Sequence, residues 1–222
     1  MNRHELIRIN PLRLIAPADG SLVRGRHLAV IKAAPGTGKT AILVQIALDK
    51  LLAGKRLVHV GIDEHLPHIR LWYSQVLNGL AHRLGILAPE QLETDIMGHR
   101  LLMTFMSENF TPQRLAERLD GLARHQIAMP DCVIIDGRTA AITADEKMLS
   151  WLRNYAEQQE MTIWLACGEE GADMAERYAD TLLELTTSAQ GHTTLTVVKD
   201  ATGYAEAGAS LGLDSQTMTL CR

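Results

Sequence analysis

Ala33-Ala34-Pro35-Gly36-Thr37-Gly38-Lys39-Thr40 follows the apolar run Leu28-Ala29-Val30-Ile31 and precedes a helical pattern with apolar residues at Ile42, Leu43, Ile46 and Ala47. A short strand, a glycine loop and a helix start are the parts of a phosphate cradle. Successive backbone N–H groups point into such a loop, and the helix N-terminus adds partial positive charge, so an anion is held largely by main chain. Gly36 and Gly38 keep side chains from standing between backbone and phosphate. Pro35 and Thr37 complete the loop, Lys39 reaches toward the β- and γ-phosphates, and the Thr40 hydroxyl joins the shell of a Mg²⁺ ion. One position departs from G-x-x-x-x-G-K-[ST]: its first glycine is Ala33. Alanine suits that place as long as the backbone stays at negative φ.

Around this stretch the chain has 222 residues, 46% of them hydrophobic, and no Pro/Ser/Gly-rich linker, which predicts one domain over residues 1–222. A formal charge of −4 gives no global attraction to nucleic acid or an anionic membrane. Cys132, Cys167 and Cys221 are odd in number and scattered, the first two inside apolar runs. They read as reduced thiols in a cytoplasmic protein. No stretch reaches the roughly 20 apolar residues of a membrane span, and the polar start Asn2-Arg3-His4-Glu5 leads into no signal-peptide core.

Residues 1–32 carry Arg3, Arg8, Arg13, Arg24, Arg26 and Lys32 against Glu5 and Asp19. Within them residues 1–27 read as a basic arm, either solvated or docking on a neighbouring subunit or acidic partner, with short strands expected at Leu6–Ile9 and Leu12–Ile15. After the loop's helix, Leu57-Val58-His59-Val60-Gly61-Ile62 reads as a buried strand ending in Asp63-Glu64. Acids there lie at the strand end where parallel α/β sheets open their ligand crevice. A helix is expected from Pro67 to about Arg83, a strand at Leu101–Met106, and a helix from Pro112 to His125. Cys132-Val133-Ile134-Ile135-Asp136 predicts a central strand whose terminal carboxylate holds a Mg²⁺ water beside Thr40. Then follow a helix at Asp145–Gln158, strands at Thr162–Cys167, Thr181–Leu185 and Thr193–Val198, and a short last strand at Thr217–Leu220.

Guanine reading needs an Asn/Thr-Lys-x-Asp, and Val198-Lys199-Asp200 has the wrong spacing, which points to ATP. No glutamate follows Asp136, where Gly137 stands, and Arg70, Arg83, Arg114 and Arg118 have no lid-like spacing. The remaining arrangement places the catalytic acid on the strand after the loop's helix.

On these motifs the chain resembles the RecA/KaiC-like ATPases over about Ile15 to Leu220. The matching pieces are Gly25, Pro35 to Thr40, Gly54 to Val60 leading to Asp63-Glu64, Val133 to Asp136, Tyr178 to Leu185, and the late hairpin closing on Lys199. The resemblance implies an α/β fold, with a central mostly parallel sheet flanked by helices and a C-terminal β-hairpin. It also implies ATP with Mg²⁺, a general base at Glu64 or Asp63, and a homo-oligomer with nucleotide at subunit interfaces, where Lys199 enters the neighbour's site. Three departures stand out: Cys167 where a polar residue is usual, no arginine soon after Lys199, and Leu22-Val23-Arg24-Gly25 in place of a double glycine. A trans arginine is worth about 10³ to 10⁵ in rate, so its absence implies slow hydrolysis or activation by a partner protein. A non-catalytic scaffold and a DNA-handling factor are the competing functions. His65 and His68 read as helix-start residues rather than a metal pair and the three tryptophans as core, while Tyr204 is a candidate adenine or partner contact.

Overall fold

In the computed structural model, which describes residues 7, 10–15, 25–86, 89–125, 127–203 and 205–221, both faces of strand β1 (His27–Ala33) are covered. Leu28 and Val30 join one buried cluster, while Ala29, Ile31 and Ala33 join another. A strand buried on both sides has no polar face to alternate, which is why it reads as an unbroken apolar run. The same division holds for β2 (Leu57–Ile62), β4 (Cys132–Gly137) and β5 (Thr162–Cys167), while β3 (Arg100–Phe105) forms a half-covered edge. The chain continues through β6 (Thr181–Thr187), β7 (Thr193–Asp200), β8 (Ser210–Asp214) and β9 (Thr219–Cys221).

These strands form one nine-stranded sheet in the order β3-β2-β4-β5-β1-β6-β7-β8-β9. From β3 to β6 all neighbours run parallel, and β7 to β9 are antiparallel. Helices α1 (Lys39–Leu52), α2 (Leu66–Leu84) and α3 (Pro89–Met97) pack on one face. On the other lie α4 (Pro112–Arg124), α6 (Glu146–Gln158) and α7 (Ala172–Tyr178), with the single turn α5 (Ala140–Thr143) before α6. The expected α/β architecture, a mostly parallel sheet flanked by helices with a C-terminal antiparallel hairpin, is therefore present. No described helix is long and apolar enough to cross a membrane.

Three local expectations need correction. Leu12–Ile15 is no strand: Pro11–Leu14 forms a 3-10 turn, because Pro11 fixes a helical φ and the Asn10 side chain accepts the Leu12 N–H at 3.2 Å. Of the strand expected at Leu6–Ile9, only Ile7 is among the described residues, and it is helical. The last strand starts at Thr219 rather than Thr217, since the Asp214 carboxylate accepts the N–H groups of Gln216 and Thr217 at 2.8 and 2.9 Å and turns the chain there. Helices α3, α5 and α7 and strand β8 had no counterpart in the sequence reading.

The described part of the basic arm docks on its own α1. Leu12 and Ile15 are buried, Arg13 pairs with Asp49, and Asn10 donates to the same carboxylate at 2.9 Å. Burial pushes the Asp49 carboxyl up, with Arg13 opposing. At the other end of the sheet, β9 reaches back to α1, α2 and the 3-10 turn. Gln45, fully buried on α1, donates to Met218 O at 3.0 Å and accepts from Leu220 N at 2.8 Å, so its amide imitates one more strand residue beside β9. Arg83 donates to Leu220 O at 2.7 Å. The antiparallel tail thus folds over α1, whose residues Ala41 to Leu52 are all buried.

Candidate functional site

Strand β1 ends at Ala33, which has no positive φ, so the missing first glycine costs the backbone nothing. Beyond it Gly36 and Gly38 take φ of +78° and +105°, conformations that favour glycine. At Gly38 space adds to the requirement, because a Cβ there would lie 2.8 Å from Leu213 Cδ2. The Thr37 hydroxyl closes the loop by donating to Ala34 O at 2.7 Å. Lys39 bends back over it, its ammonium donating to Ala33 O at 2.7 Å and Ala34 O at 3.1 Å. Burial lowers the Lys39 pKa, and the Asp136 charge opposes that shift. Gly38 is the N-cap of α1, with no side chain on the first N–H groups, so those donors face the loop.

Asp136 comes from β4, with β5 lying between it and β1. It is 5% exposed; its Oδ1 accepts the Gly137 N–H at 2.8 Å, and its other oxygen has no partner among the described residues. The Thr40 hydroxyl likewise has no hydrogen bond among the described residues. Two hard oxygen donors of this kind suit Mg²⁺ shared with a phosphate. Among the described residues no group of three or more His, Cys, Asp or Glu side chains is arranged to hold a metal alone.

The register pairs Gly61 with Asp136 and Ile62 with Gly137, which brings the end of β2 against the end of β4. Glu64 rises from there over both glycines. A Cβ on Gly61 would meet Glu64 Cβ at 2.8 Å, and one on Gly137 would meet Glu64 Cγ at 3.0 Å. Glycine at both positions therefore gives the Glu64 stem its place beside Asp136. The Glu64 Oε2 accepts from His68 Nδ1 at 2.7 Å. Asp63 is differently employed. Held at φ +55°, it accepts the Ser107 N–H at 2.8 Å, and Arg138 stands 3.9 Å away. The Ser107 bonds hold its carboxyl below the usual range.

Lys39 after the loop that follows β1, Asp136 on β4 and Glu64 just beyond β2 are thus brought to the same end of the parallel sheet. Lys199 is not with them: on β7 it donates to Ala179 O at 2.7 Å and Glu176 O at 3.4 Å, satisfying carbonyls at the C-terminus of its own α7. Cys167 ends β5 between the glycine loop and Asp136; burial pushes its thiol up, and Lys39 is among the charges opposing this. Arg83 and Arg114 are engaged with Leu220 O and Asn109. Tyr204 lies outside the described residues.

Sequence reading missed three contributors. His68, four residues after Glu64, was visible as a helical neighbour, but its partner was not. His59 and Tyr73 meet at 3.1 Å under the sheet, with the Arg100 guanidinium 4.2 Å from the Tyr73 ring centre, and only the strand register could reveal this group. Gln45, polar in an otherwise apolar helix, was the readable signal for the β9 clamp. No protein-family model matches this chain, and no curated protein matches it.

Proposed function

We propose that this chain is a P-loop ATPase of RecA/KaiC-like fold that binds ATP with Mg²⁺, hydrolyses it slowly, and works through oligomerisation or a partner protein. The observation that carries the reading is the convergence of Lys39, Asp136 and Glu64 on one rim of the parallel sheet. The loop from Pro35 to Thr40 offers main-chain N–H groups to the phosphates, and Lys39 exchanges its two loop carbonyls for phosphate oxygens. Thr40 and Asp136 supply the metal's oxygen ligands, directly or through water. Mg²⁺ held by these residues would neutralise charge on the phosphates and leaving group. Glu64 orients and deprotonates the attacking water, a contribution of about 10² to 10⁴ in rate. Asp63, tied to Ser107, supports the rim instead.

A titration with fluorescent ATP, with and without Mg²⁺, followed by a hydrolysis assay, tests this reading. Lys39→Ala removes charge-assisted hydrogen bonds worth about 1.5 to 3 kcal/mol, which is roughly ten- to hundred-fold in Kd. Unchanged affinity in that variant sinks the binding assignment. Glu64→Gln keeps affinity and loses turnover; retained hydrolysis moves the base elsewhere. One observation favours a non-catalytic scaffold as the second reading: Lys199 donates to a carbonyl at the end of its own α7. Nucleotide binding without hydrolysis by the wild-type chain, alone or mixed with partners, decides for the scaffold. Stimulation of hydrolysis by single-stranded DNA identifies a DNA-handling factor, against which the net charge of −4 weighs.

A further inference from the structure

We propose that His68 is a positioning residue for the hydrolytic site, holding the Glu64 carboxylate so that its free oxygen faces the attacking water. The inference rests on the reading of Glu64 as general base. Glu64 lies just before the N-cap His65 of α2, and His68 sits in the first turn, so the two side chains meet across the helix start. The 2.7 Å contact runs from His68 Nδ1 to Glu64 Oε2. An ionised carboxylate only accepts, so Nδ1 carries the proton in this bond. Among the described residues the Glu64 carboxylate has no other hydrogen-bond partner.

Several features make the contact more than a surface pair. The Glu64 stem passes close over Gly61 and Gly137, and the bond to His68 orients the carboxylate at its end. The imidazole is itself braced: Trp72, one turn further along α2, lies with its ring centre 6.4 Å from that of His68 at an angle of 60°. Trp72 in turn packs on the buried cluster around α1. Glu64 is 32% exposed in its side chain and His68 53%, so water reaches the pair from the outer side. Of the neighbouring acids, Asp63 accepts from Ser107 N with Arg138 3.9 Å away, and Asp136 is the candidate metal ligand. In the step this serves, the water oxygen bonds to the γ-phosphorus as the bond to the ADP oxygen breaks. The water's proton passes to Glu64 Oε1, while Oε2 keeps its bond to His68.

Steady-state ATP hydrolysis with Mg²⁺ by the full chain, alongside urea unfolding, tests the proposal with His68→Ala, His68→Asn, Glu64→Gln and the double variant Glu64→Gln/His68→Ala. Misorientation of a general base costs part of its 10² to 10⁴ contribution, so His68→Ala is expected to lower kcat about 10- to 100-fold. KM is expected to stay within about twofold, because the substrate-binding groups are untouched. Asparagine places Nδ2 close to where Nδ1 sits and can donate the same bond, so His68→Asn is expected to recover most of the rate. Adding His68→Ala to Glu64→Gln is expected to change nothing further. A helix-start staple with no catalytic part would lower stability in His68→Ala and leave kcat intact, which overturns the proposal; so does an effect confined to KM, or an asparagine variant as slow as alanine. Wild-type hydrolysis that Glu64→Gln abolishes but His68→Ala spares refutes this inference alone. Hydrolysis that survives Glu64→Gln refutes the reading beneath it, and the inference falls with it.

Discussion

Replacing Gln45 by methionine isolates the clamp that closes the antiparallel tail over α1. Methionine keeps the length and nearly the volume of the side chain, so no large cavity opens. What goes is the amide, which leaves Leu220 N–H and Met218 C=O without their partner, at a site where Gln45 and Leu220 are both fully buried. Each stranded backbone group costs about 1 to 3 kcal/mol. Two such groups, partly relieved by relaxation of a three-residue edge strand, give a loss of about 2 to 4 kcal/mol. For a chain of this size that is a fall in Tm of roughly 5 to 15 °C. Urea unfolding followed by circular dichroism, compared at constant m, reads the loss directly. The effect should also reach the glycine loop, because Leu213 and Met218, which this hairpin carries, stand against Gly38. Weaker nucleotide binding in a variant that is still folded at 20 °C is therefore expected. A Gln45→Met chain within about 0.5 kcal/mol of wild type refutes the clamp, since surface-like substitutions fall in that range.

Three further outcomes follow from the same geometry. Burial pushes the His59 imidazole down to about 4, with Asp136 opposing and Arg100 adding. The unfolded chain therefore takes up a proton near pH 6.5 that the folded chain refuses, and stability present above pH 6.5 is lost as pH falls toward 4. Between pH 7 and 5 this loss is about 2 kcal/mol, and His59→Asn should remove most of it in urea titrations at the two pH values; an unchanged slope contradicts the assignment. Gly137 sits at φ +93°, where a Cβ would come 2.2 Å from Ile62 O and 3.0 Å from Glu64 Cγ. Gly137→Ala should cost about 3 kcal/mol or more and displace Glu64, and a variant as stable and active as wild type shows that the rim does not need glycine there. Lys199→Ala should lower stability by about 1 kcal/mol through its lost bonds to α7 and leave hydrolysis per subunit unchanged. A hundred-fold loss of hydrolysis at unchanged stability instead restores the role in a neighbour's site.

The parallel half of the fold was legible because each central strand is covered on both faces and therefore reads as an apolar run ended by a glycine or an acid. Val133 to Asp136 and Leu57 to Glu64 are of this kind, and their ends carry the candidate site. The antiparallel half was harder. Strand β8, Ser210 to Asp214, contains a glycine and only two large apolar residues, and its place depends on pairing with β7 rather than on its own pattern. At the N-terminus the apolar residues of Leu12-Arg13-Leu14-Ile15 suggested a strand, but Pro11 and the Asn10 cap set the local backbone, and Asp49, 39 residues beyond Asn10, supplies the anchor. Long-range partners of this sort leave no local trace. The same holds for the acid pair: adjacent in sequence, Asp63 and Glu64 became distinguishable only once Ser107 and His68 were seen to take one each.

From Ala41 to Leu52, helix α1 has no side open to water. A surface helix can shift by sliding along solvent, whereas this one is gripped around its whole circumference by sheet, neighbouring helices, tail and N-terminal turn. Its first residue, Lys39, and the anchored Asp49 are ten residues apart, about 15 Å along the axis. In a close-packed surrounding that transmits strain, a push at the loop end cannot be absorbed locally. Any shift of the helix along its axis would have to carry Arg13 and β9 with it, because Asp49 and Gln45 hold them to it.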